Sequence, residues 1–141
     1  MPFSTAEIAD TRRLIVMREN ELSYLIRGAV FNVYKKLGPG LLESVYEAAL
    51  LLELRKLGLE VKKQVGIPAI YDGEDLDLGF RLDILVENLV IIELKSVEAL
   101  QEVHHKIVLT YLKLANKKLG LLINFNTEDI SKSIIRKVNG L

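Results

Sequence analysis

Several residue types that build common functional sites are absent or scarce in this chain of 141 residues. There is no cysteine, which excludes disulfides, thiolate zinc sites and a cysteine nucleophile. The two histidines, His104 and His105, are adjacent and too few for a histidine metal cage. Tryptophan is missing and aromatic residues make up 6%, so a broad base-stacking surface is not expected. Lysine plus arginine equals aspartate plus glutamate at 19 each, which removes the simplest charge argument for a nucleic-acid or membrane partner.

Long hydrophobic runs and targeting signals are also missing. The richest apolar stretch, Ala48 to Leu54, is broken by Glu53 and is far shorter than the ~18 residues that a membrane span needs. Glu7 and Asp10 lie where a signal peptide would have a basic start and an unbroken apolar stretch. We therefore expect a soluble, cytoplasmic protein without membrane contact. No linker or repeat divides the chain, so residues 1–141 are predicted to form one domain.

The hydrophobic periodicity predicts helices and strands in an order typical of a single α/β sandwich. Apolar residues at steps of three and four predict helices, and alternating or short continuous apolar runs predict strands. The predicted helices are a short one opening at residues 4–7, then 21–37, 41–57, 101–115 and 128–138. The predicted strands are 60–64, 67–71, 79–86, 90–95 and 119–125. Pro68 places the second strand near a sheet edge, and Asp72-Gly73 predicts a hairpin turn after it.

The two strongest strands, 79–86 and 90–95, fit a hairpin whose turn is centred on Asn88, a residue that tolerates positive φ. A shift of this register by one residue would bury charges, so hydrophobic patterning favours it. On one face the register places three apolar pairs: Leu82 with Leu94, Ile84 with Ile92 and Val86 with Val90. On the other face it places two pairs of like charge: Asp83 with Glu93 and Arg81 with Lys95.

Two carboxylates directly opposite on a sheet repel each other, so the pair Asp83 and Glu93 requires an explanation. A divalent cation between them is one explanation, since carboxylate oxygens are its usual ligands. An exposed face on which basic neighbours screen both charges is the alternative, and the hairpin alone does not separate the two. Glu43 heads an apolar stripe on the predicted helix 41–57, where it would either join the carboxylates or simply complement the helix dipole.

Two short motifs lie at a characteristic distance from each other. Asp83 is followed, after nine intervening residues, by Glu93-Leu94-Lys95 on an apolar strand. Upstream lies Gly40-Leu-Leu-Glu43-Ser-Val-Tyr46. The first motif resembles the core of the PD-(D/E)XK nuclease superfamily, and the second matches the signature of one branch, the GxxExxY proteins. The first motif alone is a weak signal, but the two together are a strong one, and the resemblance extends over residues 21–136.

The resemblance implies a restriction-endonuclease-like αβββαβ core, in which helices flank a mixed central sheet. It also implies a divalent-metal-dependent nuclease, with DNA favoured over RNA as substrate. Asp83 and Glu93 would ligate Mg²⁺ or Mn²⁺, with the backbone carbonyl of Leu94 as a further ligand. Lys95 would hold the attacking water or the scissile phosphate, and Glu43 would complete the acidic cluster. Hard oxygen ligands of this kind suit Mg²⁺ or Mn²⁺ better than zinc.

The chain departs from the pattern of related nucleases on the helix after Lys95. Those proteins often carry Gln and Tyr four residues apart, whereas here Tyr111 is preceded by Ile107. His104 lies two turns before Tyr111 and would either substitute for the Gln or be a partly buried helix residue. Tyr46 and Tyr111 would orient carboxylates through their hydroxyls or pack in the core.

Two other functions compete with the nuclease. A module that binds nucleic acid or protein without turnover is favoured by the zero net charge and by Ile107. A purely structural domain with an incidental charge cluster is the third interpretation. The complete set of Asp83, Glu93 and Lys95 favours activity, and Arg81 beside them is a candidate for substrate binding. One domain of this size offers little surface for binding a nucleic-acid duplex, which favours a homodimer.

Overall fold

The secondary structure follows the predicted order, with one exception at the C-terminal end. The computed structural model describes residues 18–141, so the helix predicted to open at residues 4–7 lies outside the described residues. The helices are α1 (Glu19–Leu37), α2 (Glu43–Lys56) and α3 (Glu102–Ala115), with a 3₁₀ turn at Ile130–Lys132. The strands are β1 (Val61–Tyr71), β2 (Glu74–Val86), β3 (Val90–Lys95), β4 (Leu119–Asn124) and β5 (Ile134–Val138). Within this part of the chain no helix has the length and apolar character needed to cross a bilayer.

The five strands form one mixed sheet in the order β1-β2-β3-β4-β5. β3 and β4 are parallel and are connected through α3, whereas the other neighbouring strands are antiparallel. A parallel pair needs such a crossover, because the chain has to return to the same end of the sheet before the next strand begins. The fold is therefore the predicted mixed α/β sandwich, with β5 added at one edge.

Hydrophobic cores lie on both faces of the sheet. On the first face, α1 and α2 pack against residues that include Ile84 and Ile92. On the second face, Leu112 of α3 packs against Ile91 and Leu122. Strands that are covered on both faces are continuously apolar rather than alternating, and all six residues of β4 are buried. This sandwiching fixes the central strands that carry the charged residues.

The predicted register of the β2–β3 hairpin is confirmed close to its turn. Val86 pairs with Val90, and Ile84 pairs with Ile92. Asn88 has a φ of 55°, the left-handed conformation that asparagine tolerates better than most residues. The predicted register therefore holds for the three residue pairs next to the turn.

β1 and β2 form a longer arm than predicted. The predicted strands 60–64 and 67–71 are joined into β1 through Gln64, whose φ is 51°. Asp72-Gly73 makes the turn between β1 and β2, as predicted. Pro68 lies in β1, an outer strand of the sheet, also as predicted, and outer strands are where sheets usually accommodate proline.

The C-terminal segment contains a strand, so the helix predicted for residues 128–138 is wrong. Ile130, Ile134 and Val138 recur at steps of four and imitate one face of a helix. In the structure, β5 pairs with β4, and the adjacent residues Ile134 and Ile135 pack on opposite faces of the sheet. These β-branched side chains suit a strand, and the edge of β4 supplies the hydrogen bonds.

Candidate active site

The strands β2 and β3 separate at Asp83 and Glu93. Their backbone ladder ends at the pair Ile84 and Ile92. Beyond that pair, the Asp83 amide N–H donates to Glu93 Oε1 at 3.1 Å, and the Leu94 amide N–H donates to Asp83 Oδ2 at 2.8 Å. Each carboxylate replaces a backbone acceptor that the diverging strand no longer provides. Asp83 and Glu93 are therefore cross-strand neighbours, as predicted.

The arm changes face at Asp83, which corrects one detail of the predicted hairpin. Alternate residues of a regular strand share a face, so Leu82 is expected beside Ile84. Instead Leu82 packs with Val65 in the core under α3, whereas Ile84 packs in the core under α1 and α2. The β1–β2 ladder pairs Lys63 with Ile84 and Val65 with Leu82. Gln64 and Asp83, which lie between these two pairs, are not paired in the ladder. Both strands turn over at this point.

Burial and a neighbouring charge perturb Glu93 strongly. The residue is 6% exposed, and burial, followed by the charge of Asp83, raises its pKa to about 8. The charge of Glu43 adds to this rise, while the hydrogen bond from the Asp83 backbone and the charge of Lys95 oppose it. A carboxylate buried beside another carboxylate is costly to ionise, and an adjacent cation would relieve that cost.

The two basic residues predicted to face each other are apart. Lys95 is half-buried and lies two residues after Glu93, on the same face of β3. The predicted pairing of Arg81 with Lys95 is wrong, because β2 has already left β3 at that level. Arg81 instead pairs with Gly66 of β1, and its guanidinium donates to the Gln64 carbonyl at 3.2 Å. Lys95 therefore stands beside the carboxylates without Arg81 opposite it.

Glu43 occupies a more exposed position than its place in the apolar stripe predicts. It is the first residue of α2, and its side chain is exposed, whereas Tyr46 and Leu50 of the same stripe are buried. Its charge acts on Glu93 and complements the positive end of the helix dipole. Within residues 18–141, no three histidine, cysteine or acidic side chains are grouped closely enough to hold a metal ion together. The predicted compact cluster of three carboxylates is thus a pair, in which Glu93 is buried and Asp83 is half-buried, with Glu43 exposed outside it.

Comparison with known protein families identifies the superfamily to which the chain belongs. The model of the PD-(D/E)XK nuclease superfamily matches residues 20–137, which include Glu43 and both strands of the carboxylate pair. The chain belongs to the PD-(D/E)XK nuclease superfamily. Searches of curated proteins and of solved structures gave no significant match.

In this PD-(D/E)XK protein, Tyr111 is the aromatic residue of α3 that lies near the carboxylates. Burial raises its pKa, and the charges of Glu93 and Asp83 raise it further. Its ring contacts that of Phe80, with centroids 5.8 Å apart. Ile107, at the position where related nucleases often have Gln, is half-buried on the same helix. Tyr111 is thus a residue of α3 whose hydroxyl senses the charges of the pair while its ring packs against Phe80.

His104 and Tyr46 have local structural partners instead of the carboxylates. His104 Nδ1 accepts the Gln101 amide N–H at 2.9 Å, which caps the first turn of α3. The Tyr46 ring is fully buried, and its hydroxyl donates to the Gly38 carbonyl at 2.6 Å. Of the two roles considered for each residue, the hydrogen bonds favour the structural one.

Asn124 was missed by the sequence reasoning, although it lies directly beside Lys95. The two residues are paired in the parallel β3–β4 ladder. Asn124 is buried; its Oδ1 accepts the Val97 amide N–H at 3.1 Å, and its Nδ2 donates to the Val97 carbonyl at 2.9 Å. These bonds hold the loop that follows Lys95. The only signal in the sequence was a polar residue at the end of an apolar run.

Proposed function

We propose that this chain is a divalent-metal-dependent nuclease of the GxxExxY branch, which hydrolyses phosphodiester bonds in nucleic acid, with DNA favoured over RNA. The observation that carries the proposal is the reciprocally bonded pair Asp83 and Glu93 at the point where β2 and β3 separate. Lys95 follows on the same face of β3. Membership of the nuclease superfamily supplies the reaction class.

The donor set at this pair fits Mg²⁺ or Mn²⁺. Asp83 and Glu93 each use one carboxylate oxygen for a backbone N–H, and within residues 18–141 their second oxygens accept no hydrogen bond. Hard carboxylate oxygens, with the Leu94 carbonyl as a further ligand, suit these ions better than zinc. A dication would also offset the repulsion within the pair. Glu43 would add a third negative charge from α2.

The chemistry divides between the ion and the side chains. When bound, the ion would lower the pKa of a water molecule and offset charge on the phosphate. The Lys95 ammonium group would donate hydrogen bonds to the scissile phosphate or to the attacking water, and would stabilise the charge that develops there. A tyrosine hydroxyl is protonated at neutral pH, so the Tyr111 hydroxyl would act as a hydrogen-bond donor near the carboxylates.

A binding module without turnover is the second candidate. Ile107 offers no polar group where related nucleases often have Gln, and the net charge of the chain is zero. The tip of the arm carries Asp72, Glu74, Asp75 and Asp77, which would repel a phosphate backbone there. This function predicts metal or ligand binding without cleavage.

A cleavage assay with matched variants tests the nuclease proposal. Plasmid, linear duplex, single-stranded DNA and RNA are incubated with Mg²⁺, Mn²⁺ or a chelator. We expect cleavage that needs the metal, that is lost in Asp83→Asn and that persists in Asp72→Asn, a variant at the exposed turn of the arm. Cleavage in the chelator, or equal cleavage by both variants, would contradict the proposal. Light scattering on the same samples tests the proposed homodimer.

A further inference from the structure

The hydroxyl group of Tyr46 is hydrogen-bonded to the backbone of the turn that precedes α2. The Tyr46 hydroxyl donates to the Gly38 carbonyl at 2.6 Å and accepts the Leu41 amide N–H at 3.1 Å. Gly40 lies inside this loop with a φ of 91°, a conformation that favours glycine over residues with a side chain. Glu43 follows directly as the first residue of α2. The three named residues of the Gly-x-x-Glu-x-x-Tyr motif thus belong to one local unit.

The start of α2 depends on this hydroxyl because the helix lacks a side-chain cap. Leu42 is the N-cap residue, and an apolar side chain cannot accept a hydrogen bond from the first-turn amides. The Tyr46 hydroxyl takes the N–H of the preceding residue, Leu41, from within the helix. It therefore holds the backbone at the point where Glu43 begins the helix.

The same unit is anchored to the strand that carries Lys95. The Tyr46 ring stacks on Phe125, with centroids 4.2 Å apart and an interplanar angle of 5°. The Phe125 amide N–H donates to the Lys95 carbonyl at 2.9 Å. Ser96 Oγ donates to the Leu41 carbonyl at 2.5 Å, which joins the loop before α2 to the residue after Lys95. The position of the α2 start is thereby tied to the end of β3.

We propose that Tyr46 is a positioning residue, whose hydroxyl holds the Gly38–Leu41 turn and thereby fixes Glu43 at the start of α2. The inference rests on the proposed metal-dependent function for its catalytic consequence. Tyr46 touches neither substrate nor metal in this arrangement.

Tyr46→Phe tests the proposal, because it removes the hydroxyl and keeps the buried ring. Tyr34→Phe is the matched control: the Tyr34 hydroxyl donates to the Thr127 carbonyl at 2.5 Å, and its ring packs against the same core. Glu43→Gln and the double variant with Tyr46→Phe complete the set. Mn²⁺ affinity, kcat and KM for DNA, melting temperature, amide exchange at Leu41 and ¹⁵N relaxation at Glu43 are measured for each.

We expect both phenylalanine variants to lower the melting temperature similarly, while the site responds to Tyr46 alone. Tyr46→Phe should speed amide exchange at Leu41, loosen Glu43, and lower Mn²⁺ affinity or kcat by about 10–100-fold with KM unchanged, the usual cost of losing a supporting group. The double variant should be no worse than Glu43→Gln. Tyr34→Phe should leave kcat, Mn²⁺ affinity and the Leu41 amide unchanged.

Two results would overturn the inference. Effects of Tyr46→Phe and Glu43→Gln that multiply in the double variant would show that Tyr46 acts independently of Glu43. Unchanged exchange at Leu41 and unchanged relaxation at Glu43 in Tyr46→Phe would show that the hydroxyl does not hold the turn. If the wild type neither binds Mn²⁺ nor cleaves, the proposed function fails, and the NMR comparison by itself decides whether Tyr46 positions Glu43.

Discussion

Gln64 and Asp83 lie opposite each other where the β1–β2 ladder is interrupted, between the pairs Lys63–Ile84 and Val65–Leu82. Gln64 takes a left-handed backbone conformation there, and its side-chain amide donates to Glu47 Oε2 at 3.0 Å. The arm turns over at this interruption, because Ile84 and Leu82 pack in the cores on opposite faces of the sheet. The Asp83 amide N–H donates to Glu93 Oε1 at 3.1 Å, so the interruption of the β1–β2 ladder coincides with the carboxylate pair.

The stability of the metal-free protein should fall with rising pH because of Glu93. Its pKa in the fold is about 8, compared with 4.5 as the reference value, so the folded state binds more protons than the unfolded state between these values. The contribution of Glu93 to the free energy of unfolding is therefore fully present below about pH 4.5 and is lost as pH rises through about 8. The loss amounts to on the order of a few kcal/mol. Urea unfolding in a chelator measures it. Glu93→Gln should remove most of this slope and Glu74→Gln should keep it; equal slopes in both variants would refute the assignment.

Asp83→Asn should stabilise the metal-free protein and abolish stabilisation by metal. The amide oxygen of Asn can still accept the Leu94 N–H, while the negative charge that helps to raise the pKa of Glu93 is removed. For the wild type, Mn²⁺ at about 100 times its Kd should add about 2.7 kcal/mol. Calorimetric melting with and without Mn²⁺ provides the measurement. A metal-dependent shift that survives in Asp83→Asn would count against the site.

Lys95→Ala should reduce cleavage much more than metal binding. In the proposed mechanism the acidic pair would hold the ion, whereas the Lys95 ammonium group would act on the water or the phosphate. Loss of one electrostatic contact to a developing anion costs about 10²–10³ in rate. Single-turnover rates and Mn²⁺ titration of the same samples give the comparison, with exposed Lys62→Ala as the control. If wild type and Lys95→Ala bind Mn²⁺ equally and are equally inert on every substrate, the binding module becomes the better function.

Two glycine variants should change stability in opposite directions. A Cβ atom on Gly120 of β4 would lie 2.8 Å from Val108 Cγ1 of α3, so Gly120→Ala should destabilise the fold by about 1–3 kcal/mol. Gly28 lies within α1 with open space around its Cα, so Gly28→Ala should stabilise the protein by about 0.5–1 kcal/mol. Chemical denaturation measures both. Equal effects would mean that α3 does not pack closely on β4.

The sequence by itself was sufficient wherever structure follows from local side-chain periodicity. The steps of three and four in α1 and the apolar alternation of the β2–β3 hairpin predicted both elements and the hairpin register. That register is also what brings Asp83 next to Glu93. These features are predictable because burying one face of a helix or hairpin constrains residues that are close in the chain.

Tertiary structure decided the features that depend on hydrogen bonds between distant segments. Apolar residues recur at steps of four in residues 128–138, a spacing that fits a helix. Ile134–Val138 nevertheless forms a strand, because it pairs with the edge of β4. The paired irregularity at Gln64 and Asp83 moved Leu82 to the other core and separated Arg81 from Lys95. Glu43 is exposed as the first residue of α2, and the Tyr46 hydroxyl accepts the N–H of Leu41 just before this helix. Each outcome depends on a partner that only the folded chain brings into contact, so no local pattern could reveal it.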